Sequence, residues 1–142
     1  MSDKDDELLG LLRLDARQPV ASLARKLGVS RTTVQDRLKR LEETGVIAGY
    51  AVKLGKSAKL PGISALVTLG VEPRQQIDVA RTISTYPQVE TLHTVSGKFD
   101  LVAVVKTPTS EDMDKLIDKI GMLRGVNDIE TAVILSTKLD RR

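Results

Sequence analysis

Apolar residues follow two rhythms along this chain, helical in the first third and alternating with helical in the remainder. Leu8, Leu9, Leu11, Leu12 and Leu14 crowd the segment Asp5 to Leu14, whose acids Asp5, Asp6 and Glu7 lie where a helix N-terminus favours negative charge. Asp15 to Gln18 breaks the pattern, and Pro19 suits the first turn of a new helix. Leu23, Ala24 and Leu27 predict a short helix over Val20–Leu27. Gly28 stops it, since glycine reaches the left-handed conformation without a Cβ penalty. Ser30 is an N-cap for a third helix, Arg31 to Thr44, in which Val34, Leu38 and Leu41 form one buried stripe. Helix, short glycine-containing turn and helix make a helix-turn-helix. After Gly45, the residues Val46, Ile47, Tyr50 and Val52 form a β-prone ribbon with Gly49 as its turn, which reads as a wing.

Lys53 to Pro61 (KLGKSAKLP) is the candidate linker, so the organisation predicted is a DNA-binding domain over 1–52, a linker over 53–61 and a second domain over 62–142. Ile63 to Val71 is β-rich, and Pro73 opens a helix to about Tyr86 on Ile77, Ala80 and Ile83. Val89–Ser96 and Leu101–Lys106 read as strands joined through Gly97, Lys98, Phe99 and Asp100. A helix follows Pro108 and Thr109 with Met113, Leu116, Ile117 and Ile120 on one face, and Val126–Thr137 supplies a last strand. The order β-α-β-β-α-β is the ferredoxin-like unit, and the fold class is α+β. Helices cover one face of such a sheet, and a second copy of the sheet is the simplest cover for the other.

Charge sharpens the picture of the third helix. Val20 to Leu41 holds six Lys/Arg (Arg25, Lys26, Arg31, Arg37, Lys39, Arg40) against the single acid Asp36, a local +5 in a chain whose net charge is +3. That is the footprint of a phosphate-backbone binder, although a solvated helix face carries similar charge runs. At about 100° per residue, Thr32, Asp36, Lys39 and Glu43 point away from the buried stripe, flanked by Thr33 and Arg40 on one side and Gln35 on the other. Short hydrogen-bonding side chains lead and cations follow, the order of a recognition helix. Arg31, Thr32, Thr33, Gln35 and Asp36 are therefore expected near bases, and Lys39 and Arg40 on phosphates. Asp36 has two readings: it accepts from a cytosine amino group, or it holds Arg40 at i+4. Tyr50, Tyr86 and Phe99 are the only aromatic residues, too few to stack single-stranded bases, which favours duplex DNA.

Two stretches resemble the Lrp/AsnC (leucine-responsive/asparagine-type) family of transcriptional regulators. LARKLGVSRTTVQDRLKRLEETGVIAGYAV (Leu23–Val52) is similar to its winged helix-turn-helix, and VSGKFDLVAVV (Val95–Val105) to the G-x-x-D loop of its regulatory domain. The resemblance spans essentially the whole chain. It implies dimers built sheet against sheet, further assembly into tetramers or octamers, and a small effector, commonly an amino acid, bound between dimers. It places Gly97, Lys98, Phe99, Asp100 and Thr131 at the effector site, with Lys98 and Phe99 in variable loop positions. Without the resemblance, Gly97–Asp100 reads as a hairpin turn.

Other chemistries find little support. The chain has no cysteine and one histidine, His93, which excludes disulfide frameworks, thiolate metal sites and a cysteine nucleophile. No metal and no cofactor are expected. An enzymatic alternative comes from the related siroheme decarboxylases, which share the two-domain plan and carry a His-Asn-Tyr run in the corresponding strand. His93 is followed here by Thr94-Val95, so the expectation is a regulator and no enzyme. A stand-alone effector sensor with a vestigial helix-turn-helix would need a neutral recognition face, and this one is basic. No apolar run approaches the roughly 20 residues of a membrane span, and the acidic MSDKDDE start lacks a signal-peptide core, which makes the cytoplasm the expected compartment.

Overall fold

The chain divides into two units between Leu54 and Gly55, each with its own apolar cluster. The structure, a computed structural model, describes residues 2–55, 58 and 61–142. Part of the linker expected over 53–61 lies outside the described residues.

Three helices, α1 (Asp3–Leu14), α2 (Val20–Leu27) and α3 (Arg31–Glu43), make the first unit. Helix α1 begins before the apolar pattern does because Ser2 and Asp5 form a capping box. Ser2 Oγ accepts the Asp5 N–H at 3.2 Å, and the Asp5 carboxylate accepts the Ser2 N–H at 3.2 Å. Between α2 and α3, Gly28 takes φ 69°, and its N–H closes back on the Ala24 and Arg25 carbonyls. A Cβ there would be strained, so the tight turn depends on glycine. Leu8, Leu23, Ala24, Leu27, Val34 and Leu41 are the buried cluster. Each fully buried leucine contributes about 1.5–3 kcal/mol, so this is a thin core for three helices.

A polar tie supplements it. The Asp5 carboxylate is buried, with 5% of its side chain exposed, and Oδ1 accepts from Arg37 Nη1 at 2.9 Å. Arg40 Nη2 lies 3.3 Å from both carboxylate oxygens. Arg37 also donates to Ser2 Oγ at 2.9 Å, so the start of α1 is fastened to the flank of α3. The Ser2 backbone N–H, then Arg37, hold the Asp5 carboxyl down to about 2 from its ordinary 3.8, although burial acts in the opposite sense.

The wing expected over Val46–Val52 does not form as a ribbon. No strand lies in this segment, and Gly49 is not among the glycines with positive φ, the conformation that the commonest hairpin turns demand. Instead the chain straps back onto α3. The Ile47 N–H donates to the Leu41 carbonyl at 2.9 Å, Ile47 packs on the apolar cluster, and the Tyr50 hydroxyl donates to Glu42 Oε1 at 2.8 Å. Desolvation, then the Glu42 hydrogen bond, raises the Tyr50 phenol above its ordinary value.

The second unit runs β1 (Ile63–Val71), α4 (Gln76–Ser84), β2 (Val89–Thr94), β3 (Leu101–Thr107), α5 (Ser110–Gly121) and β4 (Val126–Val133), with a 3-10 turn over Pro73–Gln75 before α4. The strands form one antiparallel sheet in the order β2-β3-β1-β4, the ferredoxin-like arrangement. Alternation sorts the side chains onto two faces. Ala65, Val67, Leu69 and Val71 of β1 and Leu101, Ala103 and Val105 of β3 are buried with Val79 and Ile83 of α4 and Met113, Leu116 and Ile120 of α5. The register sets Leu66 between Val104 and Ala132, and Val102 between Thr68 and His93, on the other face. Among the described residues no element of the unit covers that face, and Leu66 is 41% exposed there.

The depressed Asp5 pKa carries a sign. The tie contributes fully above the unfolded value of 3.8 and is lost as pH falls toward the folded value of about 2. Thermal melts of the α3 amide resonances in the intact chain will lose stability through that window, and Asp5→Asn will flatten the dependence. Parallel pH profiles for the two proteins would mean that Asp5 does not carry the tie.

Candidate nucleic-acid interface and regulatory loop

Helix α3 is fixed at its start by Ser30, whose Oγ accepts the Thr33 N–H at 3.1 Å. The Ser30 and Thr33 hydroxyls also lie 2.8 Å apart, so half-buried Thr33 is engaged by the cap. Arg31, Thr32, Gln35 and Asp36 are exposed, and among the described residues none of their side chains has a hydrogen bond or ion pair. Their donors and acceptors are unsatisfied by the fold. Lys39 reaches Glu43 at 3.9 Å with both side chains mostly in solvent, an i,i+4 pair worth about 0.3–0.5 kcal/mol and easily exchanged for a phosphate.

Arg40 departs from expectation. The i,i+4 pair with Asp36 is not made, and the guanidinium turns to Asp5. The reason is angular. Arg40 lies on the flank it shares with Thr33 and Arg37, which faces the start of α1, whereas Asp36 points straight out. A desolvated carboxylate already held by Ser2 is also a stronger attractor than an exposed one. Asp5 is the residue that sequence reasoning read only as a helix-end charge. Its signal was the Ser2-x-x-Asp5 spacing of a capping box, together with Arg37 at an angle too near the buried stripe to be a free surface cation.

In the second unit the segment between β2 and β3 is closed by the Val95 N–H on the Asp100 carbonyl at 3.1 Å. Gly97 has φ 113° and lies exposed, with nothing within 4 Å of where a Cβ would stand, so its backbone is open to close approach. Lys98 Nζ sits 5.4 Å from the Phe99 ring centroid. Asp100 is half-buried and bound twice to β1. Its N–H donates to the Leu69 carbonyl at 2.8 Å, and its Oδ2 accepts the Val71 N–H at 2.8 Å, where the pairing of β1 with β4 shifts register. Thr131 is exposed on β4 opposite Val67, four residues along β1 from Val71, or about 13 Å at strand rise. A single chain brings Gly97, Lys98, Phe99 and Asp100 together and leaves Thr131 apart. His93 is exposed on β2 opposite Val102. Among the described residues no three His, Cys, Asp or Glu side chains gather as a metal ion would require.

Both halves have counterparts in known proteins. Residues 1–42 match the AsnC-type helix-turn-helix domain, and residues 64–142 the Lrp/AsnC ligand binding domain. The HTH-type transcriptional regulator LrpA of Pyrococcus horikoshii is 35% identical over 95% of this chain and 96% of its own length. The leucine response regulatory protein LrpA of Mycobacterium tuberculosis superposes with a TM-score of 0.81 at 28% identity, covering 100% of this chain and 97% of that one. A Neisseria meningitidis transcriptional regulator, solved as an L-Met complex, shares the fold at 20% identity with a TM-score of 0.81, over 99% and 93% of the two chains. With a helix-turn-helix in one unit, a ligand-binding domain in the other, and relatives alike over nearly their full lengths, the chain belongs to the Lrp/AsnC family of DNA-binding transcriptional regulators.

Proposed function

We propose that this regulator reads duplex DNA in the cytoplasm through the exposed face of α3, works as a homodimer that assembles further into tetramers or octamers, and answers to a small amino-acid-like effector. One observation carries the DNA reading: Arg31, Thr32, Gln35 and Asp36 stand exposed at the start of α3, and among the described residues their side chains have no hydrogen bond or ion pair. Polar groups that the fold leaves open at a helix N-terminus suit base edges. Thr33 flanks them through the cap, and Lys39 reaches the backbone.

The dimer reading rests on the sheet. A face carrying Leu66, Val102, Val104 and Ala132 in register, with helices only on the opposite side, is supplied with a partner by a second copy. Paired subunits also bring two recognition helices to half-sites about one helical turn apart.

The effector reading rests on Gly97 and Asp100, and a neighbour in fold was solved with L-Met. A zwitterion needs an anion and backbone N–H donors together. Asp100 offers a carboxylate whose Oδ2 alone is engaged by β1, and the open turn at Gly97 offers backbone. Thr131 would join from another chain, which fits a ligand bound between dimers. Bound there, the ligand shifts assembly only by its differential affinity for the two forms, about 1–3 kcal/mol.

Binding of the full chain to duplex DNA will weaken steeply with salt. Lys39→Gln will lower affinity for all sequences alike and flatten the salt slope by about one unit, whereas Gln35→Ala will change which base pairs are preferred. No duplex binding at low salt, with amino acids present, would refute the DNA reading.

Sedimentation of the full chain will show at least a dimer at micromolar concentration, and Leu66→Asp will drive it to monomer. A parental monomer, or a Leu66→Asp dimer, would place the interface elsewhere.

Calorimetry across the twenty amino acids will find a ligand, and Asp100→Asn will weaken it about tenfold or more. Asparagine keeps an acceptor for the Val71 N–H but loses the charge that an ammonium requires. If no amino acid binds, or if Asp100→Asn binds like the parent, the loop is a turn fastened to β1.

A further inference from the structure

One carboxylate needs one guanidinium, and Asp5 has two. Arg37 meets the requirement of the fold. Only 22% of its side chain is exposed, it holds Asp5 Oδ1 at 2.9 Å, and it also ties Ser2. Arg40 is surplus to that requirement. Its side chain is 60% exposed on the flank of the proposed DNA-reading face, and yet its Nη2 rests 3.3 Å from both oxygens of a carboxylate that is 5% exposed. The acceptor cannot move toward solvent, because the Ser2 N–H and Arg37 pin it. Salt screens such a partly buried pair less than an exposed pair such as Lys39–Glu43.

We propose that Asp5 is a specificity-determining positioning residue that withholds Arg40 from the phosphate backbone and so limits the sequence-independent affinity of α3. The inference rests on the reading of α3 as the DNA-facing helix. Phosphate contacts raise affinity for every sequence equally, so each added cation raises binding to random DNA without aiding discrimination. An Arg40 held within the protein leaves recognition to Arg31, Thr32, Gln35 and Asp36, whose side chains have no hydrogen bond or ion pair among the described residues. Asp5 touches no base in this account and acts through Arg40.

The test is the salt dependence of binding by the full chain to a random-sequence duplex, for the parent, Asp5→Asn, Arg40→Gln and the double variant. Asparagine removes the charge that holds Arg40 and keeps one acceptor oxygen, enough for either the Ser2 N–H or Arg37, which use different oxygens of the carboxylate. Asp5→Asn is expected to bind random duplex more tightly at low salt, with a slope steeper by about one unit. Between about 50 and about 200 mM salt it will therefore lose about three- to fourfold more affinity than the parent. The double variant returns to the parental slope, which a merely structural role for Asp5 would not produce. Arg40→Gln removes a cation that Asp5 already holds away from the phosphates and keeps the parental slope, a result that stands even if Asp5→Asn fails to fold. An Asp5→Asn slope equal to or flatter than the parent's, or an Arg40→Gln slope flatter by a full unit, overturns the inference alone. Absence of any binding by the parent overturns the DNA reading beneath it.

Discussion

The apolar core of this chain is divided between two small units, and most of its architecture follows from that constraint. Its 142 residues are divided into two units, and the first closes three helices over six buried side chains. Units of this size bury a modest share of their surface, so apolar packing alone leaves them marginally stable. The first unit supplements its core with a desolvated ion pair between the start of α1 and the flank of α3. The second packs its helices on one sheet face, and among the described residues nothing in the unit covers the other.

The same device recurs in both units. A carboxylate accepts a backbone N–H at a point where two elements meet: Asp5 on Ser2, Asp100 on Val71. Each is thereby fixed in place while part of its charge remains available, to Arg40 in the first unit and to solvent beside Gly97 in the second. An anchored carboxylate loses little conformational freedom when it takes a partner, which makes such a group a good place to set the strength of an electrostatic interaction. The proposed DNA and effector readings each depend on one of these anchors.

Local periodicity made the fold legible. Strand β1 occupies Ile63–Val71 as its β-rich pattern predicts, and α2 and the start of α3 follow from Pro19, Gly28 and Ser30. Pairing across long separations was not legible. Asp5 and Arg40 are 35 residues apart, and counting charges along α3 cannot reveal that one of them is already matched. Strand β4 ends at Val133 rather than Thr137: past it the Ile134 N–H still bonds the Ser64 carbonyl, but Ser136 and Thr137 fall beyond Ile63, where β1 begins. The wing failed for a related reason: a β-prone run becomes a strand only when a partner edge is present, and Ile47 and Tyr50 find α3 instead. Register likewise decides where Thr131 lies, and side-chain pattern alone does not set register between distant strands.

The central claim is that the exposed start of α3 meets DNA. Backbone amide shifts of the full chain, recorded while adding a duplex selected from a random pool, test it most directly. The account predicts that the largest changes at saturation fall on Arg31, Thr32, Gln35, Asp36 and Lys39, with the Gly97–Asp100 loop unmoved. Saturable duplex binding that left those α3 amides unchanged would contradict it.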